Sequence, residues 1–164
     1  MGEVRFLCDD MLIGLARWLR AAGYDAVCQP GVADGILVQR AAAEGRILLT
    51  SDSRISERNI VRSGVVRCLA VPRGLRNTEA LAWVLRQLHL PLRTARCMAC
   101  GGELHQVAKH AVRDQVPPRS FAAFDEFFRC AACGKIYWHG SHWQRICAAM
   151  RAATDASAIR EQEA

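Results

Sequence analysis

Apolar positions along this chain alternate between short continuous runs and helical spacing, and each change of pattern marks an element. Arg5-Phe6-Leu7-Cys8 reads as a strand that ends at Asp9-Asp10. From Met11 to Ala22, the apolar residues Leu12, Leu15, Ala16, Leu19 and Ala22 fall on one helical face, and Gly23 is placed to end the helix in a left-handed turn. A second strand is predicted over Asp25–Cys28, and a helix over Gly35–Ala43 that opens at Asp34 and stops at Gly45. Arg46-Ile47-Leu48-Leu49-Thr50 is a third strand, closed by Ser51-Asp52. A short helix or turn over Ile55–Arg62 precedes a strand over Val65–Val71. Asn77 or Thr78 then caps a helix over Glu79–Leu88, with Pro91 as its stop. Strands alternating with helices over short loops predict an α/β fold, a three-layer domain whose central sheet is mainly parallel and covered on both faces.

The pattern weakens after Leu92. Val116-Pro117-Pro118 is a rigid interruption, and Ile136-Tyr137-Trp138 is strand-like. Two Cys-x-x-Cys pairs, Cys97/Cys100 and Cys130/Cys133, flank this stretch. Each pair sets two soft thiolates on one turn, and two such turns form the tetrahedral cage that Zn²⁺ prefers. Gly101 and Gly134 follow the pairs and allow the positive φ that aims backbone amides at sulfur. The expectation is a small C-terminal zinc ribbon with too little core to fold unaided. Redox chemistry fits less well, because a redox Cys-x-x-Cys sits at a helix start. The expected organisation is a sheet domain at 1–91, the ribbon at 92–150, and a flexible or helical tail at 151–164.

Composition sharpens this picture in two ways. With 164 residues, half of them hydrophobic, the chain can bury a substantial core. It has no apolar run long enough for a membrane helix. Its opening, Met1-Gly2-Glu3-Val4-Arg5, lacks the basic-then-apolar pattern of a leader, so a cytoplasmic location is expected. In a reducing compartment the paired cysteines read as metal ligands. The remaining four, Cys8, Cys28, Cys68 and Cys147, read as small hydrophobes. The net charge is +6, and all but Lys109 and Lys135 of the 22 basic residues are arginine. Arginine forks onto phosphate and stacks on bases, which points toward nucleic acid, although base composition of the coding sequence explains the same bias.

The chemistry lies with the acids. Asp9 follows the first strand, Asp52 follows the third, and Asp34 opens a helix. The carboxyl ends of parallel strands share one edge, where sites form, so these three side chains are expected around one crevice. Clustered carboxylates repel unless a cation lies among them, and Mg²⁺ or Mn²⁺ suits oxygen ligands. Each acid also has a plain structural use: Asp9, Asp10 and Asp34 as helix caps, Asp52 as turn chemistry. Arg17, Arg20 and Arg54 are near this crevice in sequence and are the candidates for phosphate contacts. Tyr137, Trp138 and Trp143 either stack on unpaired bases or pack the ribbon, packing being the plainer use. His139 and His142 are alternative ligands or RNA contacts.

Arg5–Leu12, Leu15–Arg20, Gly23-Tyr24-Asp25 and Gly45–Asp52 resemble the opening of the Mut-seven C-terminal RNase family. The cysteine pairs, Phe127-Phe128-Arg129-Cys130 and Tyr137–Trp143 resemble its closing part. The likeness runs from Arg5 to Arg145. It implies a PIN-like nuclease domain followed by a zinc ribbon, with an acidic, metal-dependent ribonuclease site. Asp9, Asp34 and Asp52 match the family's acids, and Glu57 is the nearest candidate for a fourth. The implied reaction is hydrolysis of RNA that leaves a 5′-phosphate and a 3′-hydroxyl. The alternative is a PIN-like module that binds RNA or another protein without turnover. The resemblance also leaves room for a homodimer.

Overall fold

The computed structural model describes residues 3–162. Strands β1 (Arg5–Cys8), β2 (Asp25–Cys28), β3 (Ile47–Thr50) and β4 (Cys68–Ala70) form one parallel sheet in the order β2-β1-β3-β4. The strand residues are apolar on both faces, as a sheet covered on both sides requires. Phe6, Cys8 and Leu49 pack to one side with helices α1 (Ile13–Ala21) and α5 (Asn77–Gln87). Leu7 and Leu48 pack to the other with α2 (Asp34–Glu44), α3 (Ser53–Ser56) and the segment around α4 (Asn59–Arg62). The expected three-layer α/β arrangement is therefore present.

Local chemistry explains the boundaries. The α1 helix buries Leu15, Ala16 and Leu19 on one stripe and stops before Gly23 at φ +94°. A side chain at Gly23 would also come within 2.5 Å of the Arg93 Cβ and 2.6 Å of the Thr94 carbonyl oxygen, so glycine is required there twice over. A 3₁₀ turn over Asp10–Leu12, instead of α-helix from Met11, leads into α1. The α5 helix starts at Asn77, with Arg76 at the cap position in place of Asn77 or Thr78. Glu79 reaches back to accept the Arg76 amide at 2.9 Å. The β4 strand is shorter than the apolar run Val65–Val71, because the Val66 amide bonds the Ile60 carbonyl and seats that residue against α4.

The C-terminal part is a three-stranded antiparallel sheet of β5 (Leu104–Val107), β6 (Phe127–Cys130) and β7 (Ile136–Trp138), with α6 (Pro118–Ala123) beside it. Its own core is small: Val112, Val116 and Phe127, with Phe121, Phe124, Ile136 and Trp138 around them. The last helix, α7 (Ser141–Gln162), leaves this sheet and returns to the first. Ile146 and Met150 are buried in the same core as α1 and α5. The expected divide between residues 150 and 151 thus falls within one continuous helix; Glu163 and Ala164 of that tail lie outside the described residues, as do Met1 and Gly2 of the opening segment. No helix among the described residues is long and apolar enough to cross a membrane.

Candidate active site and metal centre

In the strand order β2-β1-β3-β4, the chain moves to one side of β1 and then to the other, which makes the β1/β3 boundary the topological switch point of the sheet. Asp9 lies there, one residue past β1 and only 6% exposed. It does not cap the 3₁₀ turn that follows. Its Oδ2 instead accepts the Thr50 hydroxyl and, at 3.1 Å, the Ser51 amide. Its Oδ1 is buried and, among the described residues, has no hydrogen-bond partner. An anionic oxygen held out of water without a donor is costly, and a cation supplies what it lacks.

Asp52 lies on the same rim. The Thr50 hydroxyl that donates to Asp9 accepts the Asp52 amide at 2.9 Å, so one buried threonine ties the two aspartate segments together. The Asp52 carboxylate caps α3 through the Arg54 amide at 2.9 Å, and the Arg54 guanidinium reaches Oδ2 at 2.7 Å. The Arg54 side chain and amide bonds hold the Asp52 carboxyl down at about 2. Asp34 is the first residue of α2, not its cap, and stands 3.7 Å from the Arg58 guanidinium. Asp10 is exposed and accepts the Gly31 amide at 2.9 Å. Glu57 is exposed at the end of α3. Asp9 and Asp52 are thus linked at one edge, while Asp34 and Asp52 each face an arginine. Among the described residues, the three aspartates do not close into a ligand cage.

The arginines divide by role. Arg17 is exposed on α1, and Arg54 is exposed and paired with Asp52. Arg20 was expected at phosphate, but it is buried. Its guanidinium donates to the carbonyls of Ala26 at 2.7 Å, Met98 at 3.1 Å and Ala99 at 2.9 Å. It is a strut from the first sheet to the first cysteine turn.

Cys97, Cys100, Cys130 and Cys133 converge, their sulfurs all within 4.8 Å of one another. Cys97 and Cys133 are 3.7 Å apart, and Cys100 and Cys130 3.4 Å. A zinc–sulfur bond of about 2.3 Å gives a tetrahedron with edges of about 3.8 Å, so the group could hold Zn²⁺. Gly101 and Gly134 have φ of +85° and +72°, as the turns require. The amides of Gly102 and Cys133 face the sulfurs of Cys100 and Cys130. Burial opposes charge on Cys97. The Tyr137 hydroxyl, 3.1 Å away, and the amides of Cys100 and Ala99 outweigh it and bring the thiol down to about 6. Burial, reinforced by the neighbouring sulfurs, pushes Cys100 up to about 12.

The sequence profile of the Mut7-C RNAse domain family matches residues 4–150. This chain belongs to that family. A relative is the exonuclease mut-7 homolog of Homo sapiens, 36% identical over 101 residues, a match that takes in 58% of this chain and 11% of the human protein. The chain thus spans about a tenth of the length of that relative. No solved structure matches it.

Two functional groups of this Mut7-C RNAse domain were not singled out from sequence. Thr50 was read as the last residue of a strand, yet its hydroxyl joins the two aspartates. The signal was a hydroxyl at the junction of an apolar run and an acid. Tyr137 was read as a packing or stacking ring, yet its hydroxyl meets Cys97. Trp138 does pack the small core, and Trp143 packs against the larger one.

Proposed function

We propose that this domain is a metal-dependent nuclease that hydrolyses RNA phosphodiester bonds at the rim formed by Asp9 and Asp52. The observation that carries the proposal is the buried, unpartnered Oδ1 of Asp9 at the switch point of the sheet. Asp9, with Asp52 and Asp34, would hold Mg²⁺ or Mn²⁺, which when bound polarises a phosphodiester and lowers the pKa of bound water. The chain's own residues prepare that rim. Thr50 and the Ser51 amide fix Asp9 Oδ2, which leaves Oδ1 aimed away from the protein's donors. Arg54 keeps Asp52 ionised and, being exposed, is free to turn from the carboxylate to a phosphate oxygen. Arg17 supplies a further cation on the neighbouring helix.

The four cysteines would hold structural Zn²⁺, which fixes the two turns that the small core alone supports weakly. Family membership supports nuclease chemistry, and the name of the human relative, an exonuclease, agrees with it.

Asp9→Asn and Asp52→Asn are each expected to abolish Mn²⁺-dependent cleavage of an unpaired RNA while leaving the melting transition cooperative. Cleavage by both variants at the parent's rate defeats the proposal. One observation favours a second reading, an RNA-binding or protein-docking module without turnover: Asp34 and Asp52 already face arginines. Titration with Mn²⁺ separates the two. No ion bound in the parent, with RNA affinity intact, selects the module.

A further inference from the structure

A groove of about 940 Å³ runs between α1 and the cysteine-bearing sheet. Its basic lining includes Arg17 and Lys135, together with Arg96, which is paired with Glu3 at 3.5 Å, and Arg20, which is engaged by backbone carbonyls; among the described residues no aspartate or glutamate lines it. Along one wall three rings follow one another. Phe128 and His139 are 5.1 Å apart at 37°, and His139 and Trp143 are 6.4 Å apart at 19°. Core packing does not account for the first two. Phe128 is half-buried and His139 exposed, and neither belongs to the cores of either sheet. The groove also reaches Cys28, whose thiol lies 3.4 Å from the Asp9 backbone carbonyl. It therefore opens beside the acidic rim.

We infer that this groove is the track for an unpaired RNA strand, whose bases stack on the Phe128–His139–Trp143 ring series while Arg17 and Lys135 meet its phosphates. Sequence-independent single-strand sites combine these two features, an aromatic platform and a positively charged wall. A duplex keeps its base faces covered and gains nothing from the rings. The inference rests on RNA being the substrate of the rim and names the surface that delivers it.

The test is fluorescence anisotropy with a labelled oligouridylate and with the same strand paired to oligoadenylate, in zinc-replete buffer without added Mg²⁺ or Mn²⁺. His139→Ala is expected to weaken single-strand binding about fivefold or more. His139→Phe, which keeps a ring, is expected to restore it. Arg17→Ala is expected to flatten the dependence of log affinity on log salt by about 0.7. Zinc content and melting temperature confirm that each variant is folded. Affinity indifferent to both His139→Ala and Arg17→Ala, or duplex bound as tightly as single strand, overturns the inference even where the parent cleaves RNA. Ring-dependent binding by a protein that never cleaves upholds the groove and removes the nuclease reading.

Discussion

The two oxygens of Asp9 are in different circumstances: one bonded to Thr50 and Ser51, the other buried with no donor. Burying an oxygen in that state is expensive, and the proposed cation would offset the cost. Thr50→Val keeps the shape but removes the hydroxyl that joins Asp9 to the Asp52 amide. We expect a loss of about 1–3 kcal/mol in urea unfolding and a larger proportional loss of cleavage than of RNA affinity. Asp52 gives a pH prediction. Its folded value lies below the ordinary 3.8, at about 2, so its contact with Arg54 is fully present above pH 3.8 and is lost as pH falls through about 2. Arg54→Ala should move the Asp52 carboxyl resonance titration upward toward 3.8. At this scale, the placement of Asp9 and Asp52 just past strand ends is legible in sequence because strand ends announce themselves. The burial of Arg20 is not legible, because helical spacing does not say which arginine faces inward. Arg20 falls one residue after buried Leu19 and is covered by the cysteine turn that arrives much later in the chain.

Elements follow their local chemistry except where distant segments intervene. The parallel sheet, α1, α2 and the ribbon strand at Ile136–Trp138 were all visible as periodicity, and the positive φ of Gly23 and Gly45 was visible as punctuation. The extent of β4 was not, because Val65 and Val66 serve the loop after α4 and not the sheet, and their apolar character cannot distinguish the two. Gly23→Ala forces a left-handed φ on alanine against the Arg93 and Thr94 backbone. We expect a destabilisation of about 2 kcal/mol or more by denaturant titration, well above a simple glycine-to-alanine exchange. Phe127 and Trp138 are paired across β6 and β7, and few large side chains are fully buried there, so the core of this sheet is small. Chelation of zinc is expected to raise amide exchange first in β5–β7, followed by hydrogen exchange and mass spectrometry.

At the scale of the whole molecule, Arg20 and α7 are among the connections that cross from one sheet to the other. Arg20 ties α1 to the first cysteine turn, and α7 carries Ile146 and Met150 back to α5. Arg20→Met should therefore lower stability by about 2–4 kcal/mol and weaken zinc retention together, read by calorimetry and by release to a chromophoric chelator. Nothing in the local sequence announces either link, since both join residues far apart along the chain. The return of α7 bears on how the polypeptide is made. A ribosome that has released everything up to Pro91 has extruded all four parallel strands, yet the core around α1 and α5 still lacks Ile146 and Met150, which lie much further along the chain. During that interval the nascent sheet carries a bare oily flank, so a premature stop before Ile146 is expected to yield a product that clumps instead of a smaller folded domain.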